Sequence, residues 1–318
     1  MAYFILLVFI CLCLYVFKKK KKTAINYSLL NEQTIQVYKN IIIKNKKLTT
    51  IRLISIILLI LGIIGTAIFL VYYVRHHVDN YVLFLIILSV TIIALLINVV
   101  YSRSYKNDIV KKAIESYDPN LRYSPRQGIS REKYQFANFE KFDKFRSEDL
   151  IEGTILNQEF VMSDVRTSNV SHDEDRRETT IFEGAVAYVN LNKNINCFIY
   201  IIDNKLKLFN NDYHMTIDNE AFEKKYDVYS DNQVLAMRIL TPSVTNSILD
   251  LEKKTGIYTE IKIYHDIVYF RFYTGNMFHP IIFNAGLEAK NLAFSIQLLM
   301  SIKDIMSNIL TAMIEVTN

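Results

Sequence analysis

His172, Asp173 and Asp175 stand close together in one loop, and imidazole with carboxylates is the donor set of a divalent-metal site. The surroundings favour a plainer reading. Residues 171–178 alternate in charge as a solvated loop tip does, so no metal ligand is assigned. Cys11, Cys13 and Cys197 form no CxxC pair and have no histidine partner nearby, which argues against both a zinc site and a disulfide framework. His214, His265 and His279 are isolated in sequence and read as loop or hairpin residues. The 8 glycines are scattered; Gly153, Gly184, Gly256 and Gly275 lie too far apart to build a phosphate loop. Neither a G-x-S-x-G elbow nor an H-E-x-x-H pair occurs. Catalytic residues are therefore unknown at this level, and no cofactor site is expected. Arg238 is the one charged side chain singled out. An ion pair with Asp231 or Glu148 is favoured for it over a ligand phosphate.

The elements that would position any such chemistry begin with apolar runs. Residues 53–74 and 81–101 contain no Asp, Glu, Lys, Arg or His, and each is long enough for a hydrocarbon core of about 30 Å. The turn between them is short, so they form a helical hairpin. A third run, residues 2–17, gives roughly 24 Å of helix at 1.5 Å per residue. Its basic residues, Lys18 to Lys22, follow the run, whereas a cleaved signal carries them in front; an uncleaved anchor is the expectation. Membrane spans without ionisable groups argue against a transport path within this chain.

Charge sets the orientation. Residues 1–101 hold 11 Lys and Arg against 2 Asp and Glu, while residues 102–318 hold 26 against 30. The overall +5 thus belongs to the flanks of the apolar runs, and the domain is mildly acidic, which excludes a nucleic-acid footprint on it. Lys18 to Lys22, the group Lys44, Lys46, Lys47 and Arg52, and the group Arg103, Lys106, Lys111 and Lys112 all fall on one side if the N-terminus lies outside. The domain then faces the cytoplasm of the cell membrane.

Beyond residue 101 the pattern predicts a helix over 104–117, a short helix capped by Ser130, and strand hairpins over 150–156 with 159–167 and 257–264 with 267–273. Strands are also expected at 180–190 and 196–202. Ser230 with Gln233 has capping-box spacing, and Thr241-Pro242 starts another helix that ends at Gly256. Residues 27–47 read as a surface-lying or packing helix. A long amphipathic helix over 287–313 could pack on the sheet or on a second copy. The fold class is α+β, with about three N-terminal transmembrane helices and a largely antiparallel sheet. The organisation is 1–22 anchor, 23–50 linker, 51–101 hairpin, 102–283 domain and 284–318 terminal helix.

Several segments carry a resemblance: Asp118-Pro-Asn-Leu-Arg-Tyr123, Phe142-Asp-Lys-Phe145, Glu148-Asp149, Glu152-Gly153, Phe182-Glu-Gly184, Phe222 to Asp231, and Arg238-Ile-Leu-Thr-Pro242. In that order they resemble DUF3137, a family of uncharacterised bacterial membrane proteins. The resemblance implies architecture without an assigned reaction, so no site residue carries over. The reading is a membrane-anchored, non-enzymatic binding or scaffold module facing the cytoplasm, of unknown activity. Its expected partners are the lipid bilayer and a protein or second copy on the C-terminal helix. The alternative is a membrane-bound hydrolase or transferase whose site no motif marks.

Overall fold

The computed structural model describes residues 30, 32–76, 81–171, 176–191, 195, 197–204, 212–257, 259–281 and 284–317. The first apolar run, Cys11, Cys13, His172, Asp173 and Asp175 lie outside those residues. Helix α1 (Glu32–Lys44) turns at Asn45 into α2 (Lys46–His76), which pairs with α3 (Tyr81–Tyr105). A π-helical turn (Lys106–Val110) and α4 (Lys111–Tyr117) prolong α3 into one stem. Two of these helices are long and apolar enough to cross a membrane. Their side chains bear this out: Leu53, Ile57, Leu61, Ile64, Ile68, Leu85, Ile92 and Leu96 are all exposed in the isolated chain. A row of that extent on a soluble protein would be an aggregation site. Ser55 and Thr66 are buried between the helices, with the Ser55 hydroxyl 2.8 Å from Asn98 Oδ1 across the pair. Gly62 allows the close approach, because a Cβ there would lie 2.8 Å from Thr91 Oγ1.

The domain is built on a sheet whose described strands are β1 (Arg122–Ser124), β2 (Lys144–Ile155), β3 (Gln158–Val170), β4 (Glu178–Asn190), β5 (Phe198–Asp203), β6 (His214–Met215), β7 (Tyr226–Ser230), β8 (Thr259–Tyr264) and β9 (Ile267–Phe272). Their order is β1-β2-β3-β4-β9-β8-β5-β7-β6, and every pairing is antiparallel. The mixed class and both hairpins expected from the sequence are present. The first hairpin is longer than expected, extending back to Lys144 and on to Val170. Its turn at Leu156-Asn157 has positive φ at both residues, as a tight two-residue hairpin requires. Near its middle, Asp149 and Leu150 together oppose the single residue Ser163, a β-bulge with Asp149 at φ 61°.

Between and after the strands lie α5 (Arg131–Phe136), α6 (Glu220–Glu223), α7 (Gln233–Ile239), α8 (Pro242–Thr255) and α9 (Ala285–Thr317). Ser130 caps α5 and Thr241 caps α8, whose end is the left-handed Gly256. The cap of α7 corrects the sequence expectation. Asn232 accepts from Leu235 N, while Ser230 stays in β7 and donates to Phe198 O. The pairing of β7 with β5 through Ser230 leaves the later residue as the first free to cap.

One face of the sheet packs on α7, α8, α9 and the stem, with Phe160, Ala187, Ile201, Phe270 and Ile263 buried there. The apolar stripe of α9, including Leu292, Leu299, Ile302, Met306 and Ile309, faces this core, so it is occupied within the chain. The opposite face lies under α5 and the segment after it, around Tyr134, Phe182, Val186 and Tyr269.

Gly184 in β4 marks the tightest packing. A Cβ there would sit 1.9 Å from Phe272 O of the adjacent strand end, which is backbone and cannot swing away. Gly184→Ala should therefore lower stability by about 3 kcal/mol, the upper end of overpacking costs. Gly256→Ala meets no atom and should cost only the left-handed strain, about 1 kcal/mol. Melting curves of the purified full chain check this, and equal shifts for the two variants would contradict it.

Candidate functional site

Among the described residues, ion pairs at three places fasten the helices to the domain. At the first, Glu288 in the opening turn of α9 receives Arg52 of α2 and the Tyr101 hydroxyl of α3, and it also accepts from Ile281 N at 3.1 Å. The Glu288 side chain is fully buried. Burial alone pushes its carboxyl above the ordinary range, and Arg52 opposes that shift. At the second, Lys106 in the π-helical turn reaches Asp149 at 2.6 Å and Glu148 at 3.2 Å, both brought together by the bulge. Tyr123 donates to the other oxygen of Asp149. At the third, Lys303 of α9 meets Asp118 at the end of the stem.

Two charged sites occupy opposite faces of the sheet. The first is closed. Arg271 of β9 is gripped by Glu140 and by Glu260 of β8, the latter at 2.7 and 2.8 Å. Its guanidinium lies over the rings of Phe139, Phe182 and Tyr273. Tyr200 and Tyr273 donate to Glu260. Lys262 beside it gives hydrogen bonds to Ala137 O and Asn138 O, and burial brings its ammonium down to about 8. Apart from Arg271 Nε, which has no partner among the described residues, these charged groups are bonded within the cluster and packed against aromatic rings, so it fixes the segment after α5.

The second is an open cleft of about 610 Å³, beside the Lys106 pair, where β2, β3 and β4 meet Gly275 and Asn276. Cross-strand register places Arg146 directly opposite Arg166, and Glu148 directly opposite Asp164. Like charges across a strand pair are unfavourable unless something neutralises them. Lys106 and Asn276 Nδ2 do so for Glu148. Asp164 is only 5% exposed; its Oδ2 accepts from Met277 N at 2.8 Å, while Oδ1 has no partner among the described residues. Asn276 Oδ1 and Arg166 Nε are likewise buried without partners there. Burial, and then the negative charge of Asp149, holds the Asp164 carboxyl well above its ordinary value of 3.8. A third feature is an apolar groove of about 1010 Å³ between α1, the stem and α9, walled by Val37, Ile41, Ile109, Ile296 and Met300.

The sequence pointed elsewhere. Arg238 is exposed on α7 and makes no ion pair among the described residues; Asp231 instead accepts from Phe198 N. His214 lies 3.7 Å from Asp227, and His265 forms the hairpin turn at φ 55°. Cys197 is buried and reduced. No cluster of three or more metal-ligating side chains occurs among the described residues. The sequence does not point to Asp164, Arg271 or Glu288, and it marks Lys106 only as a charge flanking an apolar run and Asp149 only within a family-like segment. One signal was available: Glu260 and Arg271 are opposite charges equidistant from the His265-Asp266 turn, so they must face each other. The bulge hid the corresponding relation for Glu148 and Asp164.

Residues 180–310 match the model of a family described as a protein of unknown function, DUF3137. The chain is similar to DUF3137 over that stretch. The stretch starts in β4 and ends within α9, so Phe182-Glu-Gly184, Phe222 to Asp231 and Arg238 to Pro242 fall inside it. The earlier segments, Asp118 to Gly153, precede the matched DUF3137 stretch. Comparison with curated proteins finds no match. Among solved structures, the mycobacterial trehalose monomycolate transport factor A, TtfA, is similar at 10% identity with a TM-score of 0.35, covering 65% of this chain and 94% of its own. A likeness of that size carries no argument.

The raised carboxyl of Asp164 has a consequence for stability. The folded chain keeps a proton that the unfolded chain releases, so stability falls as pH rises above about 4 toward the folded value. Asp164→Asn imitates the protonated form and can still accept from Met277 N. It should melt above the wild type at pH 8, with the two converging near pH 4, in melting curves of the full chain in detergent. A variant that melts lower at pH 8 would refute the assignment.

Proposed function

We propose that this chain is a membrane-anchored binding or scaffold module whose folded domain sits against the cytoplasmic surface of the membrane. The observation that carries the proposal is the set of buried ion pairs, Arg52 with Glu288 and Lys106 with Asp149, between the apolar helices and the domain. A domain on a flexible tether needs none of them. Held in this way, it keeps a fixed height and orientation over the bilayer, as a protein that presents a binding surface there requires. The basic groups flanking the helices support the cytoplasmic side. The run at residues 2–17 adds a third span in this reading. The similarity to DUF3137 brings no reaction with it.

A membrane-bound hydrolase or transferase is the second reading, and Asp164 is the residue that favours it. A buried carboxyl held well above its ordinary range and bordering an open cleft is the form of a general acid. Glu148, its cross-strand neighbour, is engaged by Lys106 and Asn276, which leaves no free base beside it.

Topology is tested by fusing a reporter active only in the cytoplasm after Asn318 and one active only outside within residues 75–80. Both should be active; activity of the reverse pair would overturn the orientation. Crosslinking in native membranes separates the two readings. The binding module should yield one reproducible protein partner, and recovery of the chain alone would count against it.

A further inference from the structure

The heights of the ion pairs give the domain a direction. Glu288, Arg52 and Tyr101 share one level by their bonds. Asp118 lies 17 residues along the stem from Tyr101, and Lys303 lies 15 along α9 from Glu288, or roughly 25 and 22 Å of helix. Lys303 and Asp118 are bonded, so the stem and α9 climb side by side away from the apolar helix pair. Strand β2 climbs with them. Its Glu148 and Asp149 are tied to Lys106, only five residues past Tyr101, whereas Glu152 pairs with Arg122 and Gly153 packs on Asn120 at the top of the stem. Arg146 therefore lies below Glu148, by roughly 7 Å at the rise of a strand, close to the level of Tyr101. If the helix pair spans a bilayer, the lower end of the cleft is in the headgroup layer, which adds roughly 5 to 8 Å to each side of the hydrocarbon core.

The cleft's charges are sorted along that vertical direction. Arg146 and Arg166 form the lower row, nearer the membrane, with Glu183 opposite Arg166 on β4. Arg146 is exposed, and no ion pair engages it among the described residues. Arg166 gives one hydrogen bond, to Thr180 Oγ1 at 2.9 Å, and keeps Nε–H unpaired. The upper row offers acceptors that lack donors, Asp164 Oδ1 and Asn276 Oδ1. Two guanidinium groups suit the oxygens of a phosphate, which they can grip in pairs. Two orphaned acceptors one step higher suit a group with several N–H donors, and a primary ammonium has three. Beside Asp164 the lining carries two positive charges, Arg146 and Arg166, and two negative ones, Glu148 and Glu183, which favours a zwitterion over a simple anion.

We propose that this cleft binds the headgroup of an aminophospholipid, phosphoethanolamine in chemical terms. Its phosphate would lie on Arg146 and Arg166, and its ammonium would point up to Asp164 and Asn276. The proposal rests on the membrane reading above, and it specifies what the domain holds at the surface. The vertical order matters, because a lipid's acyl chains leave from the phosphate end, which is the end nearer the bilayer.

Titration of the full-length chain in detergent with dioctanoyl phosphatidylethanolamine, phosphatidylcholine, phosphatidylglycerol and free phosphoethanolamine tests it. The expected order is phosphatidylethanolamine at least about tenfold tighter than the other two lipids, since choline has no N–H and glycerol no cation. Arg146→Gln alters an exposed side chain, so the fold should persist, and it should weaken phosphatidylethanolamine about tenfold. The bound ammonium would draw Asp164 into its ionised form; Asp164→Asn cannot ionise, so it should stay folded and lose the preference over phosphatidylcholine. Equal affinity for the three lipids, or Arg146→Gln binding like the wild type with an unchanged melting curve, would overturn the proposal. Free phosphoethanolamine binding as tightly as the lipid would overturn the lipid assignment in favour of a soluble aminophosphate. Because the titration in detergent is indifferent to how the chain inserts, its failure is distinct from a failure of the topology reporters.

Discussion

The contact on which the architecture turns is the one between Arg52 and Glu288. It joins residues 236 positions apart, one in the apolar helix pair and one at the start of the last helix. Glu288 has no exposure to solvent, so its charge depends on the guanidinium, the Tyr101 hydroxyl and the amide of Ile281. Removing one member strands the other in a low-dielectric site at a cost of about 3 to 5 kcal/mol, whereas the pair itself contributes little net stability. Its role is to specify position. It sets where α9 begins, and α9 in turn supplies much of the core behind the sheet. The height of every later element above the helix pair follows from this starting point.

The sheet separates two ways of handling charge. On one face Arg271 is enclosed by two carboxylates and three rings, and the group acts as a polar core. On the other, the strands extend past the helices that cover them, and Arg146, Arg166, Glu148 and Asp164 line an open space. The chemistry is similar and the exposure is opposite. A buried network that pairs its own charges stabilises one conformation, whereas unpaired atoms at the edge of a cleft retain capacity for a partner from outside.

Much of the fold was legible because local signals were strong. The uncharged runs, the Thr241-Pro242 start and Gly256 stop of α8, and the alternation on either side of His265-Asp266 each specify a local structure independently. Ser230 misled because the sheet claimed it before the helix could. The cleft was not legible for a different reason. Lys106, Asp164 and Asn276 meet only after the sheet closes, across gaps of more than 50 residues, and each alone looks like a surface polar residue. Arg238 looked more informative because it sits in a motif, yet it is exposed and makes no ion pair among the described residues.

The bulge at Asp149 has an effect beyond the pair it forms. A strand presents odd and even residues to opposite faces, and one inserted residue reverses that parity for everything before it. Above the bulge, Ile151 and Ile155 take the helix-covered side of the sheet; below it, Arg146 and Glu148 take the same side and line the open cleft. Without the extra residue, Phe145 and Ser147 would take their places and the cleft would be lined with an aromatic ring and a hydroxyl. The extra residue thus works as a phase shift in the pleat, letting one strand be hydrophobic where it is covered and ionic where it is not, on the same side of the same sheet.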